Sequence, residues 1–193
     1  MTSLKQNIHL VGMPGAGKST VGKSLAHHLG LTFVDADHAL VERTGAAIST
    51  IFELEGEAGF RQREAQIVAE LAHRHGILLA TGGGAVLLEE NRRVLNATGV
   101  VIYLHASLDH LWHRTRHDSR RPLLQGENPR EILKALLETR DPLYRQVADM
   151  VVETGRQSIG KLIRQIADDL SRLDLSPVSI SHVQTPARSD ISP

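Results

Sequence analysis

Short apolar runs alternate with stretches of helical periodicity along this chain, and that alternation predicts a parallel sheet with helices on both faces. The apolar runs place strands near 7–12, 31–35, 77–81, 99–104 and 149–153. Helical patterns fall near 18–29, 37–44, 48–55, 57–75, 87–97, 107–116, 129–137, 140–147 and 158–171. Residues 117–128 are polar and broken by Pro122 and Gly126, which predicts a loop. From Ser176 to Pro193 the chain is rich in Ser, Pro and Thr without an apolar period, so a disordered tail is expected over 176–193. No internal repeat is visible. The expectation is one α/β domain over residues 1–175, a size that buries a real core.

In an open sheet of this kind, ligands sit beyond the carboxyl ends of the strands. Three such ends carry marked chemistry. The first strand runs into Gly12-Met13-Pro14-Gly15-Ala16-Gly17-Lys18-Ser19, a GxxxxGKS sequence between a strand and a helix. That setting is what a phosphate-binding P-loop requires. Backbone N–H groups over Gly15, Ala16, Gly17, Lys18, Ser19 and Thr20 would converge on a nucleotide's phosphates, helped by the helix start. Lys18 would reach the β- and γ-phosphates, and the Ser19 hydroxyl would hold Mg2+.

The second strand ends at Asp35-Ala36-Asp37. Residues two apart on an extended chain face one side. Asp35 is the candidate for the metal side, and Asp37 for orienting or deprotonating an acceptor hydroxyl. Asp37 also suits the N-cap of a helix over 38–44. The third strand ends at Thr81-Gly82-Gly83-Gly84, where main chain could approach a ligand closely. A loose turn is the alternative.

Phe60-Arg61-Gln62-Arg63-Glu64 lies in a helical stretch, and Arg61 and Glu64 share a face. Spacing alone favours a solvated ion pair; the functional alternative is an arginine clamp for a carboxylate, braced by Glu64. In the polar loop, Arg121 could close on a γ-phosphate. Arg145, after Pro142-Leu143-Tyr144, could be a second anion contact or a surface charge. His105, His110, His113 and His117 cluster in sequence, but without HExxH or any cysteine they read as a polar helix face.

Charge and cysteine content narrow the picture. Lys plus Arg is 22 and Asp plus Glu is 22, so there is no basic excess for general nucleic-acid binding. Four arginines (Arg114, Arg116, Arg120, Arg121) nevertheless crowd residues 111–121. With no cysteine and no signal-like N-terminus, a cytoplasmic location is expected.

The ordered set GMPGAGKS (12–19), DAD (35–37), FRQRE (60–64), TGGG (81–84), RRPLL (120–124) and PLYR (142–145) resembles the shikimate kinases over roughly residues 7–170. The resemblance implies a P-loop, nucleoside-monophosphate-kinase-like fold: a three-layer sandwich around a five-stranded parallel sheet. It also implies a substrate-binding helical segment over about 37–64 and a mobile lid over about 116–128. The implied reaction moves the γ-phosphoryl group of ATP to the 3-hydroxyl of shikimate, with Mg2+, in a monomer. The implied roles are as follows. Asp37 meets the accepting hydroxyl, and Arg61 with Arg145 grips the carboxylate while Glu64 supports Arg61. Gly82, Gly83 and Gly84 contact ring hydroxyls, and Arg121 sits near the transferred phosphate. Arg114 and Gln157 lie at the adenine, and Ser19 with Asp35 at the magnesium. Rival readings are a gluconate or nucleotide kinase of the same fold, a GTP switch (though NKxD is absent), and an ATP-binding module without turnover.

Overall fold

In the computed structural model, residues 7–116, 128–155 and 157–173 are described. Five strands, β1 (Asn7–Val11), β2 (Thr32–Asp35), β3 (Ile77–Ala80), β4 (Gly99–His105) and β5 (Met150–Glu153), form one parallel sheet in the order β2-β3-β1-β4-β5. Every residue of β1 and β3 is buried, as expected for central strands covered on both faces. Seven helices surround the sheet: α1 (Lys18–Leu29), α2 (Ala36–Thr44), α3 (Ile48–Ala72), α4 (Glu89–Thr98), α5 (Leu108–Thr115), α6 (Pro129–Val147) and α7 (Ile159–Arg172). This is the expected three-layer α/β fold. The five strands fall within a residue or two of their expected limits.

Two helical regions differ from expectation, each for a local reason. The patterns at 48–55 and 57–75 are the two halves of α3, bent at Gly56, whose φ of 68° and ψ of −176° only glycine adopts readily. The helix then stops at Ala72 rather than 75. There the Asn7 side chain donates to the Ala72 carbonyl at 3.0 Å and accepts from the Ile77 N–H at 3.2 Å, pinning the helix end and the start of β3 to β1. The second difference is α6, which runs unbroken through Pro142 where two helices were expected. Pro142 deprives the Glu138 carbonyl of its helical donor. Both residues are exposed, so water can replace that bond. Buried Leu133, Arg140, Tyr144 and Val147 hold one continuous face on the core.

Residues 1–6, 117–127, 156 and 174–193 fall outside the described set, and with them the expected lid, Arg121, His117 and the 176–193 tail.

One buried polar group makes folding pH-dependent. His9, at the middle of β1, is fully buried, and its Nε2 lies 3.0 Å from the Thr98 hydroxyl. Burial drives its pKa down from 6.5 to about 4. In the unfolded chain His9 takes up a proton near pH 6.5, whereas the folded protein resists until about pH 4. Stability is therefore complete above pH 6.5 and falls as pH drops through that window. A shift of this size corresponds to about 3 kcal/mol. Urea midpoints of the native protein and His9→Gln, measured from pH 7 to 4, should diverge most at pH 7 and converge at acid pH. Parallel pH profiles would contradict this assignment.

Candidate active site

The turn after β1 passes Gly12 to Gly17 and delivers Lys18 and Ser19 at the first turn of α1. No side chain caps this helix, so its leading N–H groups face the turn in the manner of an anion cradle. The Lys18 ammonium donates to the Gly12 carbonyl at 2.7 Å and the Met13 carbonyl at 3.1 Å, which lays the side chain along the loop. A cleft of about 490 Å³ opens over Gly15–Thr20 and continues along Arg114, Thr154, Gly155, Gln157, Ile159 and Leu162. Gly15, Ala16, Gly17, Lys18, Ser19, Thr20, Arg114 and Gln157 thus line one cavity. Two braces hold its wall. Arg114 donates to the Gly15 carbonyl at 3.1 Å, and the buried Thr154 hydroxyl reaches the Ala16 carbonyl at 3.1 Å. Thr154 had no motif to announce it; its role comes from the end of β5 lying beside the loop.

The end of β2 resolves the roles of its two aspartates. Asp35, not Asp37, is the N-cap of α2: its Oδ1 accepts from the Asp37 N–H at 3.1 Å and the His38 N–H at 3.4 Å. The helix starts at Ala36, two residues before the start that an Asp37 cap implies, so the cap shifts with it. The other Asp35 oxygen, Oδ2, accepts from the Ser19 hydroxyl at 2.8 Å. A hydroxyl and a carboxylate are hard oxygen donors, a set that suits Mg2+. Asp37 sits in the first turn of α2, released from capping duty.

Arg61 and Glu64 are not a solvated pair. Arg61 is 8% exposed and Glu64 2%. Arg61 Nη1 donates to Glu64 Oε2 at 2.6 Å, while Nη2 donates to Glu57 at 2.9 Å. The three glycines after β3 explain how such charges fit. A Cβ on Gly84 would run into the Arg61 guanidinium, and one on Gly82 would strike Glu64 Oε1 and stand 2.9 Å from Asp37 Oδ1. On Gly83 it would meet Pro14 Cδ at 2.8 Å. The glycine run is therefore a close approach rather than a loose turn. It packs the nucleotide loop, Asp37 and the Arg61–Glu64 pair around one point.

Burial would favour the neutral form of both partners, and the outcomes differ. Burial pushes the Glu64 pKa up, with Arg61 and Arg140 opposing and Asp37 adding to the rise. Burial works against the Arg61 cation, but Glu64 and Glu57 outweigh it and hold Arg61 above its ordinary value. Arg61 stays charged at every working pH.

Arg145, the expected partner of Arg61, stands apart. Its side chain is half exposed, donates to Asp141 at 2.7 Å and lies over the Tyr103 ring. The α6 arginine whose charge reaches Glu64, beside that of Arg61, is Arg140, buried on the inner face of the helix. The signal for it was present: Arg140 is four residues before Tyr144, hence on the same helical face. The expected helix over 140–147 already holds both residues, but only 142–145 carries a motif that points to chemistry. Two of the histidines have ordinary partners: His105 pairs with Glu153 at 2.7 Å, and His110 with the Ser107 hydroxyl at 3.0 Å.

Comparison with known proteins identifies what shares this arrangement. A family model described as shikimate kinase matches residues 14–171. A shikimate kinase of Burkholderia lata is 52% identical over 178 residues, covering 92% of this chain and 95% of its own. One from Nitrosospira multiformis is 55% identical over 165 residues, 86% of this chain and 85% of its own. Among solved structures, the shikimate kinase from Acinetobacter baumannii in complex with shikimate gives a TM-score of 0.87 at 45% identity, covering 90% of this chain and 97% of that one.

The packing around Gly84 can be tested by stability alone. Gly84→Ala forces either the loop or the buried ion pair to shift, which should cost about 1–3 kcal/mol of unfolding free energy. An unchanged urea midpoint at pH 7 would show that the approach is looser than described.

Proposed function

The chain belongs to the shikimate kinase family, and we propose that the point where its three glycines meet Pro14, Asp37 and Arg61 is where that family's reaction takes place. The enzyme is an ATP-dependent kinase that transfers the γ-phosphoryl group of ATP to the 3-hydroxyl of shikimate, giving shikimate 3-phosphate and ADP. The reaction belongs to chorismate and aromatic amino-acid synthesis. The observation that carries our assignment of residues is the Gly82–Gly84 packing. It sets a carboxylate and a buried guanidinium directly beside the phosphate loop.

In this reading, Gly15–Thr20 cradle the ATP phosphates and Lys18 neutralises charge on the transferred group. Arg114 and Gln157 line the adenine end of the cleft. Ser19 and Asp35 would hold Mg2+, which would supply neutralisation of the phosphate charge. Arg61 and Arg140, the two buried cations of the acceptor side, take the shikimate carboxylate. Arg140 replaces Arg145 in that role because Arg145 is engaged with Asp141 on the outer face of α6. Asp37 accepts a hydrogen bond from the 3-hydroxyl and directs its oxygen at the γ-phosphorus. The new P–O bond forms as the bond to the β–γ bridging oxygen breaks, ADP leaves with that oxygen, and the hydroxyl proton departs through Asp37. The backbone of Gly82–Gly84 meets the remaining ring hydroxyls.

We further propose a single catalytic domain over 1–175, with the acceptor segment at 37–64, working as a cytoplasmic monomer on small molecules rather than nucleic acid. Among the described residues no helix is long and apolar enough to cross a membrane, and the chain carries no net charge.

Steady-state kinetics in a coupled ADP-release assay test these assignments. Lys18→Ala should lower kcat by about 100-fold or more. Arg140→Ala should raise the shikimate KM by about 10-fold or more, the scale of a charge-assisted hydrogen bond, with the ATP KM little changed. Arg145→Ala should stay within about threefold of native, as for other surface ion pairs. The reverse order for the two arginines would overturn our choice of Arg140. Chelation with EDTA should abolish turnover and added Mg2+ restore it, with Ser19→Ala needing a higher Mg2+ concentration for half-maximal rate. Undiminished turnover in EDTA would remove the metal from the scheme.

A further inference from the structure

Tyr144 is a fully buried tyrosine whose hydroxyl stands at the junction of three pieces of the site. It donates to the Gly83 carbonyl, in the middle of the acceptor loop. It lies 3.7 Å from Met13 Sδ, in the nucleotide loop. The Arg140 guanidinium, one turn earlier on α6, lies close enough to the hydroxyl to oppose the rise in its pKa. The ring is fixed independently of the hydroxyl, stacked on Tyr103 with centroids 4.9 Å apart and planes inclined by 28°. Burial raises the Tyr144 pKa well above the usual phenol range, so the proton stays on the oxygen and the bond to Gly83 keeps its direction.

A buried tyrosine with a satisfied hydroxyl is ordinarily a core residue and nothing more. Here the hydroxyl's partners are the parts that must be aimed. An arginine side chain is long and rich in rotamers, and anchoring its guanidinium beforehand removes an ordering cost from binding. The Gly83 carbonyl and the Gly84 N–H belong to one planar trans peptide, so they point in opposite directions. Drawing the carbonyl toward α6 turns the Gly84 N–H away from α6.

We infer that Tyr144 is a positioning residue for the phosphoryl acceptor: its hydroxyl sets the direction of Arg140 and of the Gly83–Gly84 peptide together, so that the cationic clamp and the acceptor loop are prealigned. This rests on the reading of Arg140 given above. The effect should fall on the acceptor side, since none of Gly83, Arg140 and Met13 lines the nucleotide cleft.

The test is Tyr144→Phe, which keeps the stacked ring, measured beside Arg140→Gln and the double variant. The expected result is a rise of about 10-fold in the shikimate KM, with the ATP KM within about twofold and the thermal midpoint nearly native. The double variant should be no worse than Arg140→Gln alone, because the hydroxyl acts through that guanidinium. Three results would overturn the inference. A native shikimate KM in Tyr144→Phe with an impaired Arg140→Gln would remove Tyr144 while leaving the site reading intact. A native KM in both would remove the site reading itself. Equal loss for both substrates, with a collapsed melting temperature, would reduce Tyr144 to a core residue.

Discussion

The site depends on one buried ion pair and on the chain that leaves room for it. Arg61 and Glu64 are withdrawn from water, bonded at 2.6 Å, and pressed against a backbone with no side chains at 82 and 84. A buried pair of this kind contributes little net stability, because desolvation offsets most of the attraction. What it contributes is direction. A Cβ at 84 would overlap the guanidinium and one at 82 the Glu64 carboxylate, so the pair fits only against a bare backbone. Through Gly83 and Pro14 the same contact reaches the phosphate loop. A side chain at any of the three positions would force this packing apart.

Strand order explains why these pieces meet at all. With β3 between β2 and β1, the ends of three strands distant in sequence become neighbours. Thr81 fastens its end to β1 through the Leu10 carbonyl at 3.1 Å. On the other side of β1, β4 and β5 deliver Arg114 and Thr154 to the far wall of the phosphate loop. In the proposed assignment the two ligands meet across the loop after β1. Asp37 after β2 and the glycines after β3 face the acceptor, Arg114 and Thr154 wall the nucleotide cleft, and α6 brings Arg140 back to the acceptor side. A parallel sheet permits this because all five carboxyl ends share one edge.

Much of this was legible in the chain. Strands read as apolar runs because both faces of the sheet are covered, and the P-loop because its glycines and lysine have fixed spacing. The bend at Gly56 was legible as a break between two helical patterns. What could not be read was depth. An i,i+3 Arg–Glu pair has the same spacing whether it is washed by solvent or sealed under a loop, so only packing distinguished the two. The choice between Asp35 and Asp37 as cap turned on where α2 begins, a matter of two residues that local pattern leaves open. Arg140 was missed for a different reason. It lies just outside the PLYR stretch that carried the resemblance, and its burial shows only once α6 is seen as one helix from Pro129 to Val147, whose apolar face outweighs the single hydrogen bond that Pro142 removes.

That continuity of α6 assigns its charged residues to opposite tasks. Arg140 and Tyr144 lie four apart and turn inward, toward Glu64 and Gly83. Asp141 and Arg145 also lie four apart and occupy the next face, where Arg145 and the Tyr103 hydroxyl hold the Asp141 carboxyl below its ordinary pKa despite the opposing effect of burial. Tyr103 belongs to both sets, bonded to Asp141 at its hydroxyl and stacked on Tyr144 at its ring. The outer pair thus steadies the tyrosine on which the inner pair rests. Had the helix broken at Pro142, the two faces would have been free to rotate against each other. The arginine beside the acceptor loop would then have lost its fixed relation to the sheet. A proline that weakens the helix locally is tolerated because stacking and ion pairing on both sides fix the orientation that the missing hydrogen bond would otherwise have helped to define.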